Sequence, residues 1–503
     1  MKRRDFVKSL GAAGLLTTMG PAWVERAIAA EPRGPMGRPL GPNETLLVYN
    51  AKPVDVAGGG LFTENALLIR GGKIEKRLSV GENDLPGADR KIDAGGRYVI
   101  PGIINAHCHM TMPGSLAASL SLPLNFYDQI DRNCVDCVIH GVTTVRDQSG
   151  GHAWIIERQE RITRGSLMGP RILRGIGVEV PKGYGRSLIP PWIAKNAVLA
   201  ARNVAETRDS VAKAIDLGAD HIKLFLQEVT LLQGDLRYPQ MTDEMLEATV
   251  DKAAKFGKTV AVHHTYLEAR RRAIRAGIQS LEHMPIDGPL TDEDHKAFQE
   301  GKHIVVPTGS VAYALVFPAS GDVNFEHPSV QRMFEEKQKR IYSLLNEFCV
   351  PALARMGEKV YRKYASPGFF DKKHLIPAPS AQYFNRSGAI GGDNMMRMYR
   401  AGCKMGCGND GGIPFVWPGG MALEMGINEQ AGMKPHHVLR NATAVNAEVI
   451  GMSDSLGTID ANKIADLVML DANPLETTGN MGKIAAVLQA GRLVHTTGKV
   501  TGT

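Results

Sequence analysis

Val99-Ile100-Pro101-Gly102-Ile103-Ile104-Asn105-Ala106-His107-Cys108-His109 is the stretch that decides the fold of this 503-residue chain. Its apolar residues, Tyr98-Val99-Ile100 and then Ile103-Ile104, read as a buried strand that runs into a His-x-His pair. Side chains alternate along a strand, so His107 and His109 point one way and Cys108 the other. Two imidazoles on one side of a strand end are well placed to hold a divalent metal. By itself the pair is also what two ordinary histidines look like, and its weight comes from what the rest of the chain brings to the same place.

Outward from this strand, residues 102–446 alternate short apolar runs with helical stretches, the pattern of parallel βα units. The strand candidates are Ile103–Cys108, Thr143–Arg146, Arg171–Arg174, His221–Leu226, Thr259–His264, Ser280–His283, His303–Pro307 and Cys403–Cys407. Eight such strands predict an α/β fold, a (β/α)8 TIM barrel with insertions. An open doubly wound sheet would use the same units, but no Gly-rich dinucleotide fingerprint accompanies them. The flanks, residues 44–101 and 447–503, have another texture: short β runs between Gly-rich turns, as in Ala66-Leu67-Leu68-Ile69-Arg70 followed by Gly71-Gly72. Ala465–Leu470 and Ala485–Arg492 repeat it, which predicts one small β-sandwich built from both chain ends.

In a TIM barrel the chemistry sits at the C-terminal ends of the strands, and that is where the unusual residues fall. His107 and His109 end the first strand, His263 the fifth and His283 the sixth, and Asp410 follows the eighth in Gly408-Asn409-Asp410-Gly411-Gly412. Lys223 lies inside the fourth, in His221-Ile222-Lys223-Leu224-Phe225, where an unpaired buried ammonium is expensive. Each has an ordinary reading: a satisfied histidine, a turn aspartate. Their joint placement at one face of one barrel favours a metal site. His263 and His264 are adjacent, so only one can face the barrel axis; zinc suits the His-rich, mixed nitrogen and oxygen shell, though manganese, cobalt and iron also accept such ligands.

Residues 1–30 read as an address rather than part of the fold. Lys2-Arg3-Arg4 opens a twin-arginine n-region, Ser9–Val24 is a weakly apolar core too short for a membrane span, and Ala27-Ile28-Ala29 offers a cleavage site. The expectation is export by the twin-arginine machinery to the periplasm or medium, with no stable membrane anchor after cleavage. Residues 1–29 carry five Lys/Arg and two Asp/Glu, so their removal lowers the formal charge from +7 to +4. That modest surplus, without basic blocks or interleaved aromatics, gives no indication of a nucleic-acid partner. Six cysteines make no disulfide scaffold at this length, and buried thiols are expected rather than a zinc knuckle.

The quoted segments closely resemble the amidohydrolase superfamily, in its imidazolonepropionase-like and metal-dependent carboxypeptidase (Xaa-Pro dipeptidase-like) branch. The resemblance covers roughly residues 44–503. Besides the His-x-His strand it rests on Gly141-Val142-Thr143-Thr144-Val145-Arg146-Asp147, the Lys and His segments, Asn441-Ala442-Thr443-Ala444-Val445-Asn446-Ala447, and Leu456-Gly457-Thr458-Ile459 leading to Lys463-Ile464-Ala465-Asp466-Leu467. It implies two divalent ions. His107, His109 and Asp410 would hold the more buried one, His263 and His283 the outer one, and Lys223 would bridge both as an N-carboxylated lysine. His263 occupies the position of the ligand, which leaves His264 a supporting place. The implied reaction is hydrolysis by metal-activated hydroxide with Asp410 as acid and base.

Three features depart from the family pattern: Asn409 stands before Asp410 where Thr is common, Gln227-Glu228-Val229-Thr230 replaces a Gly-Gly loop, and residues 308–400 form a long connection suited to a partial active-site cover. Loop residues near the expected mouth include Gln148, Tyr184, Arg186, Trp192 and Tyr313. Tyr184 could polarise a carbonyl and Arg186 could clasp a carboxylate, which would suit an N-acyl amino acid or dipeptide. The leading expectation is an exported metal-dependent hydrolase of a carbon–nitrogen amide bond in an N-acyl amino acid, dipeptide or aryl amide. Opening of a cyclic amide or lactone is the enzymatic alternative, and a non-catalytic metal- or ligand-binding protein is the alternative of another class. The small-molecule substrate itself is not legible; the family often assembles, so a homo-oligomer is compatible with the resemblance.

Overall fold

Aliphatic runs separated by tight glycine turns build the N-terminal flank as five strands: β1 (Thr45–Asp55), β2 (Gly60–Leu61), β3 (Ala66–Arg70), β4 (Lys73–Leu78) and β5 (Arg90–Pro101). Gly71 and Gly72 join β3 to β4 with φ of 54° and 83°, the left-handed pair that a two-residue hairpin requires. The computed structural model describes residues 37–81, 84–112, 114, 126–188, 191–229, 237–315, 328–364, 386–498 and 500–502. All of them belong to one unit, Met36–Thr503; the leader expected over residues 1–30 lies outside the described residues.

The barrel strands are β6 (Ile103–Cys108), β7 (Val142–Asp147), β8 (Arg171–Glu179), β10 (His221–Leu226), β11 (Thr259–His264), β12 (Ser280–Glu282) and β13 (Ile304–Val306), paired in that order; a short β9 (Val198–Ala200) lies beside β8. Every pairing is parallel. Helices cross between the strands, begun where the sequence supplies caps: Asn203, Thr242 and Thr291 accept from the amides of Glu206, Met245 and Asp294. Alternation sorts the side chains. Ile222, Leu224, Leu226, Val260 and Val262 join the large core beneath the helices, while Lys223 and His263 fall in the opposite row.

The eighth candidate, Cys403–Cys407, closes the barrel without becoming a regular strand. Val305 pairs with Met405 and Cys108 with Gly411 as isolated parallel bridges. Between them the Asn446 side chain does what a ladder would: its Nδ2 donates to Ile104 O (2.5 Å) and Cys407 O (2.6 Å), and its Oδ1 accepts from Cys407 N (2.9 Å). A Cβ on Gly406 would sit 2.6 Å from that Oδ1, and one on Gly408 2.6 Å from His107 N, so the seam needs glycine at both.

After the barrel, β14 (Leu467–Leu470), β15 (Ile484–Gln489), β16 (Arg492–Thr496) and β17 (Thr501–Gly502) return to the N-terminal flank. The two ends form one mixed sheet, in the order β16-β15-β14-β5-β1-β3-β4, with its own apolar core. β5 leads directly into β6, so this sheet is anchored to the strand that carries the His-x-His pair.

Within the long connection, helices Pro328–Phe348 and Pro351–Tyr364 pack as a pair with a second core that includes Phe415, Val416 and Trp417, just past Asp410. The ring of Phe348 stacks on Trp417 at 5.7 Å and 9°. Gln129, on helix Phe126–Ile139, ties the pair to the barrel by donating to Phe348 O and accepting from Val350 N. All six cysteines are free and buried. Among the described residues, no helix is long and apolar enough to cross a membrane.

Candidate metal centre

The first two imidazoles converge on Asp410. Its Oδ1 lies 3.2 Å from His107 Nε2 and 3.0 Å from His109 Nε2. Asp410 is brought there by the seam, through its own amide to His107 O at 2.8 Å. Asn409, the departure from the family pattern, is fully engaged: its Oδ1 accepts from Asn105 Nδ2 and Gly411 N, and its Nδ2 donates to Trp417 O. Asn therefore laces β6 to the Asp410 turn.

His283 follows β12 and completes a group with His107 and Asp410, their ligand atoms all within 4.8 Å of one another. That closest set cuts across the inner and outer division implied by the resemblance. His263 adjoins it, its ring 4.5 Å from that of His283. His283, Thr308 and Asp410 have φ of 73°, 58° and 55°. Left-handed backbone at three residues with a Cβ is strain of about 1–3 kcal/mol each, and such strain gathers at functional sites. His264 faces away, with Nδ1 on Glu282 O, as alternation requires.

Lys223 supplies the anomaly noted in the sequence. It is buried, and among the described residues its Nζ has no hydrogen-bond partner. Burial pulls its amine down to about 8, with Glu282 and Asp410 as neighbouring charges that oppose the shift. Burial likewise pulls His283 down to about 3 and His263 well below the usual imidazole range, so both are neutral, the form a metal ligand needs. Burial alone would raise Asp410, but His107 and His109 overcome it and hold the carboxyl well below the usual range. Neutral imidazoles, an ionised carboxylate and an orphaned amine are a donor set suited to divalent ions.

Beneath the group lies a buried network that sequence reasoning missed. Glu282 Oε2 accepts from His107 Nδ1 at 2.7 Å, and its Oε1 accepts from Arg146 Nη2 at 2.5 Å and Ser280 Oγ at 2.6 Å. Arg146 Nε donates to Ala106 O. β7 and β12 are not neighbours in the sheet, so the Arg146–Glu282 pair spans the barrel interior. Burial raises the Glu282 carboxyl, but Arg146 and His107 outweigh it and keep it ionised. The signal was present: a charge inside an apolar strand, the same oddity that singled out Lys223.

Of the expected mouth residues, Tyr184 stacks on His263 at 4.6 Å and 25°. The turn that carries it is held by Glu179, whose carboxyl oxygens accept from Gly185 N and Arg186 N. The Arg186 guanidinium donates through Nη1 to Val198 O on β9. Gln148 sits beside His221 and Ala106. Tyr313 lies under Lys337 in the helical pair's core, and the Trp192 side chain lies outside the described residues.

Comparison with known proteins agrees with this fold. The model of the amidohydrolase family matches residues 98–494. An imidazolonepropionase of Symbiobacterium thermophilum is 24% identical, over 91% of this chain and 99% of its own. An ochratoxinase of Aspergillus niger is also 24% identical, over 84% of this chain and 80% of its own. Among solved structures, a Xaa-Pro dipeptidase with bound methionine in its active site superposes with a TM-score of 0.66 at 22% identity, covering 90% of this chain and 99% of that one. Barrel and donor set define a hydrolase of the metal-dependent type. The chain belongs to the amidohydrolase family.

Proposed function

We propose that this protein is an exported hydrolase of carbon–nitrogen amide bonds that works with two divalent ions, zinc by preference, on an N-acyl amino acid, a dipeptide or an aryl amide. The observation that carries the reading is the orphaned Lys223 Nζ, buried with Asp410, His263 and His283 as its charge neighbours in a barrel of this family. His107, His109, His263, His283 and Asp410 would hold the ions. Addition of carbon dioxide to the neutral Lys223 amine, with loss of a proton, would give a carbamate with two ligand oxygens and remove the unpaired nitrogen. When bound, the ions supply Lewis-acid polarisation of water and of the scissile carbonyl.

The remaining steps belong to the chain. Asp410 is ionised and takes the proton of the attacking water, then returns it to the leaving nitrogen. Glu282 holds the His107 ring from behind. Tyr184, stacked on His263, is the aromatic wall against which a substrate would rest. Arg186, anchored through Nη1 to Val198 O, keeps its remaining guanidinium donors for a substrate carboxylate. The likeness to an imidazolonepropionase along nearly the whole chain favours a second reading, opening of a cyclic amide or lactone.

The test is turnover by zinc-supplemented protein on N-acyl amino acids and dipeptides, their carboxamides, aryl amides, cyclic ureides and lactones, with Asp410→Asn as control. Cleavage of open-chain amides supports the first reading and preference for rings the second. Silence on the whole panel by protein that binds metal would leave a binding role. N-terminal sequencing of material recovered from the periplasm tests export, with cleavage after Ala29 expected.

A further inference from the structure

Gln227 follows β10, in the segment that replaces the family's Gly-Gly loop, and it is fully buried. Two bonds orient its amide. Nε2 donates to Val229 O at 2.9 Å, and Thr265 Oγ1 donates to Oε1 at 2.6 Å. Oε1 is thereby fixed as an acceptor, and His263 Nε2 lies 3.0 Å from it. An amide oxygen has no proton to give, so the proton of this bond belongs to His263 Nε2 and the ring's lone pair is on Nδ1.

The other imidazoles are set the opposite way. Thr308 Oγ1 donates to Pro307 O at 2.7 Å, so its contact of 2.6 Å with His283 Nδ1 is one in which the ring donates. His107 Nδ1 faces the ionised Glu282 carboxylate. Both rings therefore keep their lone pair on Nε2, and His263 alone among these three keeps it on Nδ1. Tyr184, stacked on one face of the His263 ring, opposes its reorientation.

We propose that Gln227 is a positioning residue that locks His263 in the Nε2-protonated tautomer, so that Nδ1 is the atom His263 offers to a divalent ion. The inference rests on the two-ion reading above. It assigns to this chain's own Gln227 a task that a Gly-Gly loop has no side chain to perform.

The test titrates metal-depleted full-length protein with cobalt(II), followed by its visible absorption and by competition with zinc(II). The wild type is expected to take up two ions. Gln227→Leu keeps the volume but removes the acceptor, and should weaken one of the two by about 10- to 100-fold while sparing the other. Gln227→Glu restores an acceptor and should recover both the affinity and the cobalt spectrum. Two ions bound by Gln227→Leu with unchanged affinity overturns the role of Gln227 alone. A Gln227→Glu variant as weak as Gln227→Leu also overturns it. Uptake of a single ion by the wild type overturns the two-ion reading and, with it, the place given to His263. Long-range proton–nitrogen spectra of metal-free wild type, assigned with His263→Gln, need no Leu variant: an Nε2–H ring is expected, and an Nδ1–H ring overturns the proposal.

Discussion

Asp410 is asked to do two things, and substitution separates them. Asn keeps the shape and one oxygen but cannot carry a proton, so Asp410→Asn should lower kcat by about 10²- to 10⁴-fold, read as steady-state turnover at saturating metal. Near-normal turnover would remove Asp410 from the proton path. Glu282 acts through His107 and Arg146 rather than on the substrate. Glu282→Ala leaves the Arg146 guanidinium buried without its carboxylate, a loss of about 3–5 kcal/mol, measurable by urea unfolding of metal-free protein. The metal-free state matters because it separates the lost ion pair from any lost metal. An unchanged urea midpoint would mean that Arg146 finds another partner.

The elements differ in how well local pattern reveals them. β10 and β11 are legible residue by residue, because strands buried on both faces read as unbroken apolar runs and any charge within them stands out. The row that holds Lys223, His263 and Glu282 follows from strand alternation and register, whereas His283, one residue past Glu282, leaves that alternation through its left-handed backbone (φ 73°). Arg146 and Glu282 lay inside quoted segments yet gained their meaning only from a partner across the barrel. The seam was less legible still: Cys403–Cys407 reads as a strand, but the side chain that stitches it to β6 arrives some 40 residues later, at Asn446. Gly408→Ala tests that seam where it meets the His-x-His strand, since the new methyl would meet His107 N at 2.6 Å. The expected outcome is loss of metal retention along with stability, and a variant that holds metal like the wild type would show that the seam can give. The turn under Tyr184 has a pH signature. Burial pushes the Glu179 carboxyl up to about 8, against the pull of the Gly185 and Arg186 amides. The folded state thus holds that proton more tightly than the unfolded chain, so its contribution is complete below pH 4.5 and is lost as the pH rises towards about 8. Urea midpoints should fall across that window in the wild type and fall less in Glu179→Gln.

At the scale of the whole molecule, bound metal is expected to be part of the stability. Ligands that sit on β6, on β10 to β12 and on the seam tie distant parts of the barrel together, and an ion that binds only the folded state stabilises it by about 4 kcal/mol at a thousand times its Kd. Chelation should therefore lower Tm, and added zinc should restore it. A Tm indifferent to chelator would argue that the centre is not loaded.

The Asn446 seam also carries a consequence for how the chain is made. A ribosome delivers β6 early and Asn446 some 340 residues afterwards, so for most of synthesis the first strand of the barrel has one side without its stitch. During that interval β6 and β13 are open edges, the kind that recruit other chains. Closure waits for the last tenth or so of the protein, which also brings β14 to cover β5. Such distant pairings fold slowly, and a nascent chain released before residue 446 should precipitate rather than fold into a smaller barrel.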